Sequence, residues 1–454
     1  MATGSVCLPA LTEVISQKNN PAILGGNESV RGVSIFTAEP VEVFEFYLDG
    51  QQPFEKLTQA LSKYRTEPKK VSASFFCGGW VGFFGYELGR FIEKLPGKAV
   101  NDLGFPVIRL GFYDKAIVYD HSAKRFFLTV LDWHGQTESV DQKYAALNDW
   151  LDEARRVSVK SPAACDIERV GIDAFRCNMT QAEYLESLAK IKQSIIDGDT
   201  YQINFSQRFE SSFDSRPIDL YHWQNQFNPS PYAAFLSWDD KAVVSASPEL
   251  FLEVQGEAIQ TRPIKGTRSR NPRLPDSADA NRRQFKALIK SEKDQAELAM
   301  IVDLERNDLA RVCVPGTRHV TCGREIETFP TVYHAAGVIE GKLTSGPGPE
   351  RIIELLKATF PGGSITGAPK IRSMEIIDEL EPTARSVYTG SIGWIGINFD
   401  LCLNIAIRTI LIDGKTAYAQ TGGGIVTDSA PLEEWVETLT KARALLAGIQ
   451  AVTL

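Results

Sequence analysis

The sequence predicts an α+β fold in which long antiparallel strands are mixed with helices. Apolar and polar residues alternate along Tyr201 to Phe209, the pattern of a strand with one buried face. Residues 405–412 and 416–420 have the same character, and Asp413-Gly414 between them suits a two-residue hairpin turn. Strands that follow one another through hairpins favour an α+β arrangement over regularly alternating βαβ units.

A charged stretch with little hydrophobic periodicity, from about Asp152 to Ile172, divides the chain. Such a stretch is typical of a linker or an exposed crossing. We therefore expect an amino-terminal region over residues 1–155 and a larger region over residues 175–450. The two are expected to intertwine in one fold.

The larger region begins with the clearest helix signal in the chain. Thr180 and Glu183 have the spacing of a capping box. Apolar residues then recur at helical spacing as far as Ile195, and Gly198 is a natural stop. The pattern predicts a helix that starts after Thr180 and ends just before Gly198.

Downstream elements follow from similar patterns. Residues 250–259 alternate like a strand that is interrupted by Gln255-Gly256. Residues 294–304 and 432–446 have helical periodicity. Lys265 follows the interrupted strand, between Pro263 and Gly266. It is expected at the mouth of a sheet, although most such lysines are simply solvated.

Composition excludes several classes of function. A formal charge of −8, with no stripe of Lys and Arg, argues against binding to nucleic acid. No uncharged apolar run is long enough to cross a bilayer, and no secretory signal is evident at the amino terminus. Seven scattered cysteines without a Cys-x-x-Cys pair fit reduced thiols. We expect a cytoplasmic protein that is not bound to a membrane.

Two pairs of acidic residues have a spacing that suits a metal. Asp294 and Glu297 are three residues apart on one predicted helix, so both face one way. Glu434 and Glu437 repeat the spacing on the last helix, with Lys441 one turn further along. Four carboxylates from two helices could hold a hard cation such as Mg²⁺. Spacing alone equally fits two solvated helix faces.

Five motifs occur in one order along the chain, and they are Gly79–Arg90, Thr261–Thr267, Glu297–Asp308, Phe360–Lys370 and Gly422–Val426. Together with Ala406-Ile407-Arg408-Thr409 they resemble the chorismate-utilising family over nearly the whole chain. This family includes component I of aminodeoxychorismate synthase and of anthranilate synthase, and also the isochorismate and salicylate synthases. The resemblance implies two sheets packed face to face with helices outside, an arrangement that periodicity alone does not reveal.

Lys265 separates the branches of that family. The run Pro-Ile-Lys-Gly-Thr at 263–267 is similar to the signature of the aminodeoxychorismate synthases, in which the lysine is the nucleophile. Anthranilate synthases usually carry alanine at that point. The resemblance therefore implies that Lys265 attacks chorismate and that Glu249 is the general acid and later the base. The expected product is 4-amino-4-deoxychorismate, a precursor of 4-aminobenzoate and folate.

The resemblance also assigns ligands. Glu297 and Glu437 correspond to residues that bind Mg²⁺, and Asp294 and Glu434 to neighbours that bind it through water. Arg408, in a predicted apolar strand over 403–412, would hold the enolpyruvyl carboxylate together with Tyr388. The glycines that follow a predicted strand would bind the ring carboxylate through exposed N–H groups. The remaining implied substrate contacts, with those glycines, are Gly266, Thr267, His334, Ser364, Gly422, Gly423, Gly424 and Lys441.

Two partners follow from the same resemblance. The chain has no glutaminase motif of the Gly-x-Cys-x-Gly-His type, so ammonia is expected from a separate glutamine amidotransferase subunit. Some family members also carry a pocket for L-tryptophan. Pro231, Tyr232 and Ala233 resemble part of that pocket, and the sequence leaves its occupancy open.

Two alternatives remain. The nearer one is anthranilate synthase component I, and Lys265 argues against it. The other is a non-catalytic regulatory subunit that keeps the fold, which would be expected to lose Glu249 or the acidic pairs. Isochorismate and salicylate synthases activate water with a lysine in the strand that corresponds to residues 201–208, and this chain has Ile203-Asn204 there.

Overall fold

The computed structural model describes residues 6–27, 29–30, 32–64, 75–165, 167, 170–271, 274–329 and 332–453. Within these ranges, none of the helices combines the length and the apolar character that a membrane span needs. The helices are α1 Leu8–Ser16, α2 Pro53–Lys63, α3 Val140–Ala154, α4 Gln181–Ile196, α5 Pro217–Phe227, α6 Asp279–Lys290, α7 Glu292–Ala310, α8 Pro349–Thr359, α9 Lys370–Leu380 and α10 Pro431–Thr453.

The strands of the described residues form two sheets. They are β1 Ala22–Leu24, β2 Val33–Thr37, β3 Glu42–Phe46, β4 Gly79–Phe84, β5 Ile108–Tyr113, β6 Lys115–Asp120, β7 Arg125–Val130, β8 Arg176–Cys177, β9 Gln202–Ser212, β10 Tyr232–Trp238, β11 Lys241–Ser247, β12 Leu250–Gln255, β13 Ala258–Arg262, β14 Ile264–Ser269, β15 His319–Thr328, β16 Val332–Lys342, β17 Gly367–Ala368, β18 Ser391–Gly396, β19 Leu401–Asn404, β20 Thr409–Asp413 and β21 Thr416–Ile425.

The first sheet has the order β17-β9-β21-β20-β11-β10-β1-β2-β6-β7, with β8 also paired to β9. The second has the order β14-β16-β13-β12-β19-β18-β4-β5-β3, with β15 also paired to β16. Residues 1–155 therefore contribute strands to both sheets. Their strand β1 pairs with β10, and their strand β4 pairs with β18. The predicted region boundaries themselves stay a prediction, because each sheet is continuous across them.

Apolar layers lie between the two sheets and on their outer faces. The layer between the sheets contains residues of both, such as Val81, Leu236 and Ile392. A second layer joins the outer face of the second sheet to α2, α7 and α8. A third joins the outer face of the first sheet to α1, α3, α5 and α10. Two sheets face to face with helices outside is the predicted α+β sandwich, which is confirmed.

The helix predicted after Thr180 is α4. The Thr180 side chain accepts a hydrogen bond from the backbone of Glu183, and the Glu183 carboxylate accepts one from the backbone of Thr180. This reciprocal pair is the predicted capping box, and it satisfies N–H groups that have no partner inside the helix. The interruption at Gln255-Gly256 is the turn between β12 and β13.

The predicted strand over 403–412 is wrong. Its first residues belong to β19 in the second sheet, and its last residues to β20 in the first sheet. Residues 405–408 cross between the sheets, and Arg408 has a φ of +50°. An apolar run that is buried from both sides looks like one strand because both strands and the crossing lie in the core.

Candidate active site

Lys265 lies in β14, where the pairing with β16 is irregular. The register of β14 on β16 shifts between Ile264 and Thr267, and Gly266 has a φ of +85°. A Cβ atom at Gly266 would lie 2.9 Å from Leu288 and 3.0 Å from Asp294, so only glycine fits there. The bulge turns Lys265 inward, and its Nζ donates a hydrogen bond to the carbonyl oxygen of Ser364 at 3.0 Å.

Glu249 lies between β11 and β12, with its side chain buried. Its backbone N–H donates to the Ser247 hydroxyl, and its backbone carbonyl accepts from the N–H of Ile405 at 3.0 Å. Burial raises the pKa of the Glu249 carboxyl to about 6, although Ser364, Lys265 and Arg408 oppose the shift. A carboxyl with this pKa can both give and take a proton near neutral pH.

Burial also acts on Lys265. It lowers the pKa of the Lys265 amine, against the attraction of Glu297 and Glu249, and the nearby charge of Lys441 lowers it further. Desolvation thus favours the neutral amine, the form that can act as a nucleophile. Glu249, the predicted acid, and Lys265, the predicted nucleophile, therefore lie close enough for the charge of each to shift the pKa of the other.

Arg408, His334 and Thr267 are linked by contacts between their side chains. The Arg408 Nη2 lies 3.5 Å from the Nε2 of His334, and the Nδ1 of His334 lies 2.8 Å from the Thr267 hydroxyl. Because a guanidinium only donates, Nε2 is the acceptor and the Nδ1–H donates to Thr267. Burial and Arg408 hold the pKa of His334 well below its usual value. His334 is therefore neutral and orients Arg408.

Arg408 is a positively charged side chain that lacks an ion-pair partner among the described residues. Burial lowers the pKa of Arg408 to about 10, and Glu249 opposes the shift. Within the described ranges Arg408 forms no ion pair. A buried guanidinium without a carboxylate partner is costly unless a ligand supplies one.

Ser364 and Tyr388 form a further wall. Ser364 lies in a short 3₁₀ turn, Gly363–Ile365, and is buried. Tyr388 is buried too, and its ring centroid lies 5.9 Å from the guanidinium of Arg385. Burial raises the pKa of the Tyr388 hydroxyl, so it remains a neutral donor.

The three glycines lie within a strand, not after one. Gly422, Gly423 and Gly424 belong to β21 and pair with residues 204–206 of β9. The predicted nest of N–H groups after a strand is therefore wrong. β20 ends its pairing with β21 at Ala419, so the other edge of this glycine segment is open. Close approach explains Gly422, because a Cβ there would lie 2.5 Å from a backbone oxygen of Phe205.

Gly423 faces the acidic residues of α10. A Cβ at Gly423 would lie 3.5 Å from Glu434, 3.8 Å from Glu437 and 3.9 Å from Lys441. Lys441 donates to the Gly422 carbonyl at 3.0 Å and pairs with Glu437 at 2.7 Å. The positive charge of Lys441 lowers the pKa of Glu437, which keeps that carboxylate ionised.

The second acidic pair lies on α7 and approaches the first. Lys293 stands between them, 3.3 Å from Glu434 and 4.0 Å from Glu297. Burial raises the pKa of Glu297, whose Oε1 is buried without a hydrogen bond. Asp294 instead pairs with Arg268 at 2.8 Å. An unsatisfied carboxylate oxygen beside other carboxylates is the kind of hard donor set that Mg²⁺ accepts, with water completing the shell.

Among the residues described, no three His, Cys, Asp or Glu side chains form a ready metal site. Lys293 and Lys441 form ion pairs with Glu434 and Glu437 in this arrangement. The predicted residues fit a cation that takes two direct ligands and draws the rest from water and substrate. A cage of protein ligands alone is not present in that part of the chain.

Comparison with known proteins decides the family. A family profile described as chorismate binding enzyme matches residues 27–447. The chain belongs to the chorismate-binding enzyme family. It is 39% identical to aminodeoxychorismate synthase component 1 of Bacillus subtilis (strain 168), over 83% of this chain and 77% of that protein.

Relatives from another branch are nearly as similar. Anthranilate synthase component 1 of Pseudomonas putida is 37% identical over 82% of this chain and 75% of that protein. The crystal structure of anthranilate synthase component I from Streptococcus pneumoniae TIGR4 superposes with a TM-score of 0.77 at 29% identity, over 92% of both chains. Overall similarity thus establishes the chorismate-binding family and its fold, and the branch depends on individual residues.

The sequence reasoning did not single out Gln202, which lies beside the glycines of the candidate site. Gln202 is buried, and neither polar atom of its amide has a hydrogen-bond partner among the described residues. A Cβ at Gly424 would lie only 2.1 Å from its Nε2. An unsatisfied amide in a buried strand points to a missing ligand. In the sequence, Gln202 is merely one polar position of an alternating strand.

Pro231, Tyr232 and Ala233 lie away from the other predicted residues. They line a separate cavity of about 280 Å³ together with Leu24, Glu253, Trp394 and Asn404. None of the residues that surround Lys265 lines it. The assignment of these three residues to a pocket for L-tryptophan stays a prediction.

Proposed function

We propose that this chain is the synthase component of an aminodeoxychorismate synthase and converts chorismate and ammonia to 4-amino-4-deoxychorismate. Lys265 carries this proposal, because its amine lies close enough to Glu249 for their charges to interact, and among the described residues its hydrogen bond goes to a backbone carbonyl and not to a carboxylate. In a reaction in which ammonia attacks chorismate directly, the lysine amine would not be needed as a nucleophile. The named relatives in the same branch support the assignment.

The first step joins lysine to substrate. The neutral amine of Lys265 forms a bond to C2 of chorismate, the ring double bonds shift, and the C4–oxygen bond breaks. Glu249 donates its proton to the departing hydroxyl, which leaves as water. A carboxyl with a pKa of about 6 holds that proton over much of the range below neutrality.

The second step releases the lysine. Ammonia forms a bond to C4, the double bonds shift back, and the C2–nitrogen bond breaks, so Lys265 leaves as a neutral amine. The ionised Glu249 then takes a proton from the new C4 ammonium group. Glu249 and Lys265 thus return to their starting forms, and one ammonia replaces one water.

Chorismate carries two carboxylates, and the site offers two positive regions. Arg408, oriented by His334, would hold the enolpyruvyl carboxylate through its planar fork, with Tyr388 beside it. Lys441 and the open edge of Gly422 to Gly424 would receive the ring carboxylate. Gly266, Thr267 and Ser364 shape the pocket around the reacting carbons.

Mg²⁺ would be held by Glu297 and Glu437 directly, and by Asp294 and Glu434 through water. When bound, it supplies positive charge against the ring carboxylate. The buried, unbonded oxygen of Glu297 supports this role. When the cation binds, the ion pairs of Lys293 with Glu434 and of Lys441 with Glu437 would have to weaken.

Ammonia would come from a glutamine amidotransferase subunit. The relatives are named as component 1, which implies a second component. The heterodimer would work in folate biosynthesis, in the cytoplasm. The cavity at Pro231, Tyr232 and Ala233 would accept L-tryptophan, whose indole and amino acid groups match its mix of apolar and polar walls.

Product analysis tests the function. Purified protein is incubated with chorismate, Mg²⁺ and an ammonium salt, and the products are separated by chromatography. We expect 4-amino-4-deoxychorismate without release of pyruvate. Anthranilate and pyruvate as main products would overturn the assignment in favour of the anthranilate synthase branch.

A further inference from the structure

Arg385 is a fully buried arginine whose five N–H donors all have partners. Its Nε and Nη2 donate to the two carboxylate oxygens of Glu381 at 2.8 and 2.7 Å. The other donors reach the carbonyl of Ile365 at 2.9 Å, the carbonyl of Asn204 at 2.6 Å and the hydroxyl of Thr389 at 3.3 Å. Arg385 lies outside the predicted substrate contacts and has no role in the chemistry above.

Three of those partners, Ile365, Asn204 and Thr389, adjoin residues of the candidate active site. Ile365 follows Ser364, whose carbonyl holds the Lys265 amine. Asn204 pairs directly with Gly424 across β9 and β21. Thr389 follows Tyr388. One guanidinium therefore ties together three segments that are far apart in the sequence and converge on the same pocket.

The amino-terminal region fixes the position of this guanidinium. The ring of Tyr86 lies 4.7 Å from it, and the Glu87 carboxylate accepts a hydrogen bond from the Arg385 backbone at 2.9 Å. Both residues belong to the motif Gly79–Arg90, which the proposed chemistry does not use. A flat cation between an aromatic face and a bidentate carboxylate has little freedom to move.

We propose that Arg385 is a positioning residue, held by Tyr86 and Glu381, that sets the distance between Lys265 and the substrate. It acts through the Ser364 turn, through Asn204 and through Thr389, and it does not touch substrate. This inference rests on the proposed function, because it takes the pocket around Lys265 as the reacting centre. The motif Gly79–Arg90 would then support catalysis, because its residues Tyr86 and Glu87 hold Arg385 in place.

The test compares Arg385→Lys with a matched control. Arg351 is equally buried, and its Nη1 and Nη2 donate to the carbonyls of Gly256 at 2.6 Å and Phe399 at 2.5 Å. Neither partner adjoins the active site. Both substitutions keep the charge and remove the fork. Arg385→Lys breaks more hydrogen bonds and should lower the thermal midpoint more, so kinetics are compared at a temperature where both variants are folded.

The kinetic constants should differ. Arg385→Lys is expected to lower kcat on the order of 10²-fold, because a displacement of about 1 Å at a reacting group costs that much. KM for chorismate should rise by a much smaller factor, since most binding groups remain. Arg351→Lys should leave both constants near wild type. Equal kinetic effects in the two variants would show that Arg385 is only structural and would overturn the proposal.

Chemical rescue gives a positive readout. Arg385→Ala leaves a space that fits guanidinium, so guanidinium chloride at millimolar concentration should restore part of kcat, and sodium chloride should not. The same salt should not change kcat of Arg351→Ala. If Arg385→Ala fails to fold, Tyr86→Leu replaces it and should lower kcat about tenfold with KM little changed. A wild-type kcat in Tyr86→Leu and Arg385→Lys would refute the proposal.

The choice of measurement distinguishes a failure of the Arg385 proposal from a failure of the proposed function. Chorismate consumption is measured for every variant, whatever the product is. A different product would remove the aminodeoxychorismate assignment and leave the Arg385 comparison intact. If the wild type consumes no chorismate, calorimetric binding of chorismate replaces turnover, and a loss of binding enthalpy with Arg385→Lys but not with Arg351→Lys is then expected. Equal enthalpies in all three proteins would overturn the positioning role.

Discussion

The amine of Lys265 donates a hydrogen bond to the carbonyl oxygen of Ser364 at 3.0 Å, and within the described ranges Lys265 forms no ion pair. A carbonyl oxygen accepts a hydrogen bond from an ammonium group and from a neutral amine alike. The contact therefore aims the amine without requiring it to stay charged. A direct carboxylate partner would have held the proton in place.

Substitutions of Lys265 distinguish its role as a nucleophile from its role as a positive charge near the substrate. Lys265→Arg keeps the charge but cannot readily lose a proton, so aminodeoxychorismate formation should fall by at least about 10³-fold. Lys265→Ala should lose the same activity and leak towards the product of ammonia addition at C2. Mass spectrometry of the peptide that contains Lys265, after chorismate is added without ammonia, should show an adduct. Normal turnover by the arginine variant with no trapped adduct would rule out covalent catalysis.

Removal of the Glu297 carboxylate should weaken metal and substrate binding together. Glu297→Gln is expected to raise the Mg²⁺ concentration needed for half-maximal activity by about tenfold or more, because one charged oxygen ligand is lost. Glu292→Gln is the control, since Glu292 is exposed on the same helix and the charge change is equal. Titrations of activity against Mg²⁺ compare the three proteins. Wild-type Mg²⁺ dependence in Glu297→Gln would exclude this ligand.

Gly424 and Gln202 should behave as a coupled pair. A methyl group at Gly424 would overlap the Gln202 amide, 2.1 Å away, so Gly424→Ala should strongly reduce kcat/KM. Truncation in the double variant Gly424→Ala/Gln202→Ala makes room, so the two effects should not add. Gly323→Ala is the control, because nothing lies within 4 Å of its added carbon. Strict additivity of the two changes would contradict the steric explanation.

Glu305 should make stability depend on pH. Burial, with the nearby charge of Glu249, raises the pKa of Glu305 to about 8 from 4.5. A carboxyl with a raised pKa in the folded state contributes stability at low pH that is lost as the pH rises from 4.5 towards 8. At pH 7 the cost relative to low pH is about 3 kcal/mol.

Glu305→Gln removes this titration and keeps an oxygen that can accept from the Thr261 hydroxyl, as Glu305 now does at 2.9 Å. The variant should gain unfolding free energy relative to wild type as the pH rises from 5 to 8. Urea denaturation at both pH values measures it. Asp303→Asn, exposed on the same helix, should show no such gain. A constant difference between Glu305→Gln and wild type would mean that Glu305 titrates normally.

Local patterns predicted local structure well. The capping box at Thr180 and Glu183 depends on contacts within four residues, and the structure has it as predicted. The alternation along residues 201–209 corresponds to β9, and the periodicity of residues 432–446 corresponds to α10. The two-sheet arrangement came from resemblance to a family, because strand pairing joins residues hundreds of positions apart.

Local patterns failed where the environment is the same on both sides of a boundary. The run from Leu403 to Ile412 is mostly apolar, although β19 and β20 belong to different sheets and Arg408 has a left-handed backbone. Gly422 to Gly424 looked like a loop because glycine weakens strands. The structure keeps them in β21, where neighbouring atoms crowd an added side chain at Gly422 and at Gly424. Gln202 gave no signal at all, because an empty hydrogen-bond site exists only in three dimensions.

The pairings β1–β10 and β4–β18 also bear on how this protein can be made. Residues 175–450 expressed alone would leave β10 and β18 with unpaired edges, and such edges recruit other chains into aggregates. During synthesis, β1 must wait for a partner that emerges about 210 residues later, and β4 for one that emerges about 310 residues later. Chain halves produced separately should accordingly be insoluble, whereas co-expression of both halves offers each edge its proper neighbour.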